Sequence, residues 1–214
     1  MPPRNPVNSL KYCLIFFVLA GWSGIAPAHT SDWELKKNKD GIKIYTREVE
    51  GSPIHEFKGV TRVNVPIETL RRFYETPENF CRWMDRCKDS ELLEKQSAEA
   101  WIMYLHLSMP WPVMDRDIVM LRTRSKDATT GDYFYSIDHF PDFYPEQAGR
   151  VRMPYMIGGW HFTPVNDNLV EISFQQHVNA GGFIPSWIAN QLVVDIPYRT
   201  LSKLKKILAE ELKL

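Results

Sequence analysis

The spacing of apolar residues changes several times along the chain, and each change marks an element. Over residues 42–48, Ile42 and Ile44 alternate with Lys43, Tyr45 and Arg47, the period of a strand with one buried face. Asp40-Gly41 supplies a turn before it. Gly51-Ser52-Pro53 then leads into a second strand, residues 54–63, with His55, Phe57, Thr61 and Val63 on one face. A hairpin is predicted. After Asn64, the expected cap, and Pro66, the period becomes helical: Ile67, Leu70, Phe73 and Tyr74 recur until Thr76-Pro77 stops the run. Strand-length segments follow at 91–96, 101–109, 117–124, 132–139, 151–165 and 169–177, separated by turn-forming residues such as Thr130-Gly131-Asp132 and Asn166-Asp167-Asn168. Strands joined in this way predict an antiparallel meander. From Pro185 the helical period returns, with Ile188, Leu192, Val194, Tyr198, Leu201, Leu204, Leu208 and Leu212 forming a stripe that Pro197 is expected to kink. The order predicts an α+β fold in which a curved antiparallel sheet wraps a long C-terminal helix, leaving one core and, where filling is incomplete, one cavity.

Composition narrows the function. With 214 residues, 44% hydrophobic and 24% charged, the chain suits one globular domain and excludes a disordered chain, a coiled coil or a multi-span membrane protein. Basic and acidic residues number 26 each, so a nucleic-acid partner, which selects for a basic excess, is not expected. The load of 7 Trp, 9 Tyr, 11 Phe and 8 Met fits either a dense core or the wall of a pocket for an apolar ligand.

Residues 1–28 read as a secretory leader. Arg4 and Lys11 precede an apolar run at 12–20, and Ala26-Pro27-Ala28 offers small residues for cleavage. The competing reading is an uncleaved anchor, but Gly21, Ser23, Gly24 and Pro27 interrupt the run well short of the ~20 residues a spanning helix needs. Trp22 stands where an acylated lipoprotein would carry cysteine. The exported domain, residues 29–214, would act in the periplasm or outside the cell with a net charge of minus two. It keeps Cys81 and Cys87, which allow two readings: a disulfide, if a helix ends between them, or two separate buried thiols.

The six histidines include no H-E-x-x-H pair, and neither a G-x-S-x-G elbow nor a phosphate-binding glycine loop occurs. No metal or cofactor is expected. Asp138 and His139, as strand neighbours, point to opposite faces and do not suit an acid-base dyad.

Four fragments in order carry a family resemblance: Asp40-Gly41-Ile42-Lys43-Ile44-Tyr45-Thr46-Arg47; Pro110-Trp111-Pro112-Val113-Met114-Asp115-Arg116-Asp117-Ile118-Val119; Gly159-Trp160-His161-Phe162-Thr163-Pro164; and Gly181-Gly182-Phe183-Ile184-Pro185-Ser186-Trp187-Ile188-Ala189-Asn190. Over residues 33–208 the chain resembles the START lipid-binding domains. That resemblance implies the helix-grip fold, a tunnel for a lipid or similar hydrophobic molecule, and a gate made of the final helix, here 187–208, and the loop 109–115. It also implies a carrier without catalytic residues, a monomer in transient contact with membranes. The alternative is an enzyme acting on a hydrophobic ligand in the same cavity, as cyclase relatives on related folds do.

Met103, Leu105, Leu107, Met120, Tyr135, Trp160, Phe174, Trp187, Val194 and Tyr198 are the expected wall residues, each set against ordinary core packing. Arg122 shares a strand face with Ile118 and Met120. Several START domains carry an arginine at the matching position facing the tunnel, which implies a contact to a ligand hydroxyl, carboxylate or phosphate. The segment 101–109 lacks the acid that pairs with this arginine in some sterol binders. Arg116 and Asp117 are read as structural, tying the proline loop to neighbouring backbone.

Overall fold

A computed structural model describes residues 32–211; the expected leader, residues 1–28, lies outside them. Ten strands form one sheet: β1 (Glu34–Lys39), β2 (Ile42–Arg47), β3 (Glu56–Val63), β4 (Cys87–Lys95), β5 (Ala100–Leu107), β6 (Asp115–Lys126), β7 (Tyr133–His139), β8 (Arg150–Arg152), β9 (Tyr155–Asn166) and β10 (Leu169–Asn179). Their order is β1-β2-β3-β10-β9-β7-β6-β5-β4, antiparallel throughout, with β8 added parallel to β6. Helices α1 (Ile67–Glu75) and α2 (Phe80–Trp83) interrupt the strands, and α3 (Ser186–Glu211) closes the chain.

The first hairpin turns at Asp40 and Gly41, both at positive φ, as a tight two-residue turn requires. It joins β2 to β1, a strand the apolar pattern did not predict. The sequence Glu-Leu-Lys-Lys-Asn-Lys shows no alternation because this edge strand buries almost nothing. On β3, the inward residues are Phe57, Gly59, Thr61 and Val63. Gly59 is needed there, since a Cβ would stand 2.7 Å from Cδ1 of Leu201 on α3. The missing side chain lets the helix lie against the sheet.

Two expectations are corrected. The residue before α1 is Pro66, with no side-chain cap, so Asn64 does not cap the helix; proline sets the entry angle instead. The single strand expected at 151–165 is two, because Pro154 lacks the N–H a continuous ladder needs. The chain also makes a second short helix, α2, which ends between the two cysteines, and Cys81 and Cys87 are joined as a disulfide.

The final helix runs unbroken through Pro197. Its buried stripe is Ala189, Val193, Pro197, Thr200, Leu201, Leu204 and Leu208. In the second half Leu201, Leu204 and Leu208 match the predicted stripe and Leu212 lies outside the described residues, whereas the first half is turned so that Ala189 and Val193 face inward. The core lies between this stripe and the concave face of the sheet.

Candidate functional site

One apolar cavity opens between the first half of α3 and one end of the sheet. Phe57, Leu107, Phe174, Gln176 and Val178 contribute from the strands. Ala189, Leu192, Val193, Ile196 and Pro197 contribute from α3. Four methionines, Met84, Met109, Met153 and Met156, reach it from three parts of the chain, and their flexible thioethers can repack around guests of different shape. Counted with the solvent at its mouth the empty space is about 770 Å³; the cavity volume proper is about 90 Å³.

Polar groups reach this wall from the turn between α2 and β4. Asp85 is buried; its backbone N–H donates to Oγ1 of Thr200 at 3.0 Å, and its Oδ1 accepts from Nζ of Lys203 at 2.6 Å. Its Oδ2, like Nε of Arg86, is buried without a partner. Gln176 is also buried, and its amide donates only to the sulfur of Met156, at 3.4 Å. Thr200 and Lys203 thereby fasten the second half of α3 to the sheet side of the cavity. The first half is held differently: Asn190 accepts from His55 N–H at 3.0 Å and donates to the Pro53 carbonyl at 3.2 Å.

Two loops border the mouth, one between β5 and β6 and one between β10 and α3. Arg116, almost wholly buried, joins them by donating to the carbonyls of Met114, Ala180 and Gly181. The loops and the first turn of α3 display apolar side chains to solvent: Trp111 is 92% exposed, Phe183 90%, Trp187 72% and Met114 54%.

Asp115 anchors the first loop at its base. Its Oδ1 accepts from Met109 N–H at 3.0 Å and its Oδ2 meets Nε2 of His106 at 2.8 Å, with Lys88 at 3.6 Å. The Met109 N–H, and after it the His106 contact, hold the Asp115 carboxyl below the usual carboxylate range. Because the folded form is the poorer proton binder, this anchor stabilises the fold above pH ~4 and is lost as acid protonates Asp115. Asp115→Ala is expected to cost about 2 kcal/mol near neutral pH. The gap between variant and wild type should close as the pH falls toward 3, which urea unfolding at stepped pH will measure; a gap independent of pH rejects the anchor.

The START domain model matches residues 26–211. This chain belongs to the START domain family. Uncharacterized protein PA1579 of Pseudomonas aeruginosa is 35% identical over 196 residues, 92% of this chain and 95% of that protein. The phosphatidylcholine transfer protein of Rattus norvegicus is 28% identical over 171 residues, 77% of this chain and 78% of that protein. Among solved structures, a STAR-related lipid transfer protein fragment from Xanthomonas axonopodis superposes with a TM-score of 0.77 at 38% identity, covering 83% of this chain and 99% of that one. The helix-grip fold and a lipid or hydrophobic ligand as partner follow from the family.

Within this START fold the expected wall residues separate into four groups. Leu107 and Phe174 line the cavity. Met103, Leu105, Met120, Tyr135 and Trp160 are buried but pack against other side chains instead of lining it. Trp187 stands in solvent in the first turn of α3 and does not line the cavity. Val194 and Tyr198 lie off the buried stripe of α3, and the Tyr198 hydroxyl donates to Asp40 at 2.7 Å. Arg122 is buried away from the cavity, over the Tyr74 ring at 4.5 Å. Asp117 pairs with Arg152 at 2.9 and 3.1 Å and not with Arg116. Sequence reading missed Met109, Met153, Met156, Gln176 and Val193. Alternation alone would have placed Gln176 beside Phe174 on the inward face of β10.

Proposed function

We propose that this START domain, exported as residues 29–214 and acting as a monomer, withdraws a lipid from a membrane, holds its acyl portion in the cavity and releases it unaltered. The observation that carries the reading is an apolar cavity lined in part by Met109, Ala180 and Ile184, with the exposed side chains of Trp111, Phe183 and Trp187 close by in the same segments of chain. Burying an acyl chain recovers about 0.8 kcal/mol per methylene, so a sixteen-carbon chain gains roughly 12 kcal/mol before ordering costs. Exposed tryptophan and phenylalanine suit the interfacial zone of a bilayer, where an aromatic ring is half solvated. The first half of α3, held to the 53–55 turn through Asn190, is the part placed to move as a gate. Export is supported by the leader-like residues 1–28 and by the Cys81 to Cys87 disulfide, a bond that persists in oxidising compartments.

The likeness to a phosphatidylcholine transfer protein makes fluorescent phosphatidylcholine the first probe. Mature protein should move it between neutral phosphatidylcholine vesicles. Replacing Trp111 and Phe183 together by serine should slow transfer at least tenfold while leaving the amount bound at equilibrium unchanged. Absence of transfer, or recovery of the lipid chemically altered, would overturn carriage; altered lipid would point to the enzyme reading.

A further inference from the structure

The inner wall of the cavity is backed by a continuous set of rings. Phe57 and Phe174 face the cavity and meet edge to face, centroids 4.9 Å apart. Trp160 lies flat on Phe174, with centroids 4.0 Å and planes 12° apart, yet it is not part of the wall. Trp83 meets Trp160 at 5.4 Å, and Tyr74 stacks on Trp83 at 5.5 Å. Beyond Tyr74 stands Arg122, whose guanidinium carbon is 4.5 Å from that ring and 5.3 Å from the rings of both Phe80 and Trp101. Each of these rings is buried. The stack therefore separates open space from a buried guanidinium.

The far side of the stack is not a settled apolar core. Arg122 is 1% exposed, and its Nη1 meets only the sulfur of Met103, at 3.0 Å. Its Nε and Nη2 and Nε1 of Trp83 are buried without a hydrogen-bond partner of good geometry, and the buried Tyr74 hydroxyl has only the neighbouring Arg122 guanidinium to interact with. The Glu75 carboxylate, on the same helix as Tyr74, is taken up by Arg71, Arg124 and the Tyr135 hydroxyl. Folded proteins rarely leave so many polar atoms unpaired in one place. Apart from the hydroxyl, which can do both, they are donors, so the group that would satisfy them is an oxygen acceptor.

We propose that Trp160, pressed between Phe174 and Trp83, is the partition that sets how deep a cargo chain enters and what its inner end can be. This rests on the carriage reading and adds its specificity. With the partition in place the cavity ends on ring faces and admits a hydrocarbon end. An inner carboxylate would be stripped of water against those rings, and although the wall offers Nε of Arg86 and the amide of Gln176, it also carries the buried carboxylate of Asp85, which repels a second anion. The donors around Arg122 become available only when the partition is thinned.

Palmitate and hexadecanedioate separate these cases, because they share a chain length and differ in whether the inner end is a methyl group or a carboxylate. Titration calorimetry on the whole protein should show palmitate bound at least tenfold more tightly. In Trp160→Leu that preference should fall at least tenfold, and adding Arg122→Gln should restore it. Phe174→Leu, which thins the stack from the cavity side, carries the same expectation should the first variant fail to fold. A preference unchanged in variants that keep the wild-type near-ultraviolet dichroism overturns the partition while leaving carriage intact, as does a wild type that binds both acids equally. A wild type that takes up neither acid overturns carriage and the partition with it.

Discussion

Ala189→Trp should abolish lipid uptake while leaving the protein folded. Ala189 lies on the inward stripe of α3, 6% exposed, and its methyl group faces the cavity. An indole there projects into empty space, so the usual overpacking cost of about 1–3 kcal/mol should be reduced by the contacts the ring gains with the cavity wall. The space it occupies is the space an acyl chain would use. A loss of at least a hundredfold in affinity, about 2.7 kcal/mol, is expected in titrations with fluorescent lipid. The thermal midpoint should move by only a few degrees. Unchanged uptake by a folded Ala189→Trp protein would show that the cargo lies elsewhere.

Asp117→Asn is expected to have the largest effect on stability. Asp117 is fully buried, and its two carboxylate oxygens receive Nε and Nη2 of Arg152. The Arg152 side chain is only 7% exposed, and its remaining donors go to the carbonyls of Pro141, Tyr144 and Pro145. One ion pair thus holds β6, β8 and the loop after β7 together. Neutralising the acid leaves a buried guanidinium without a counter-charge, which costs about 3–5 kcal/mol. For a domain of this size that corresponds to a fall in Tm of roughly 6–20 °C. Lipid uptake should weaken as well, since Met153 follows directly on β8, and its N–H bonds the Asp117 carbonyl. A variant within a degree or two of wild type would place the stability of this region in its apolar packing alone. Calorimetry of wild type, Asp117→Asn and Arg152→Gln decides the matter.

Much of the fold was legible because burial imposes a period. Alternation located β2 and β3, and the final helix announced itself through Leu201, Leu204 and Leu208. Elements with little to bury escaped: β1 is a polar edge strand, and α2 is a single turn defined by its disulfide and by Phe80 and Trp83. The site was less legible. Arg116 and Asp117 stood out as charges within an apolar strand, yet their partners, the backbone of residues 180 and 181 and the side chain of Arg152, lie far along the chain. Only the folded chain could disclose them.

By itself the sequence determined the order of most elements, the inward faces of β2 and β3 and a family resemblance specific enough to imply a grip around a hydrophobic guest. Tertiary structure decided which buried residues border empty space and which border one another. Met103, Tyr135 and Trp160 are as apolar and as buried as Leu107 and Phe174, but only the latter two face the cavity. The reason is physical. A residue's burial follows from its own free energy of transfer out of water. A void is the volume left over when a curved sheet and a helix meet, and depends on all the side chains packed between them.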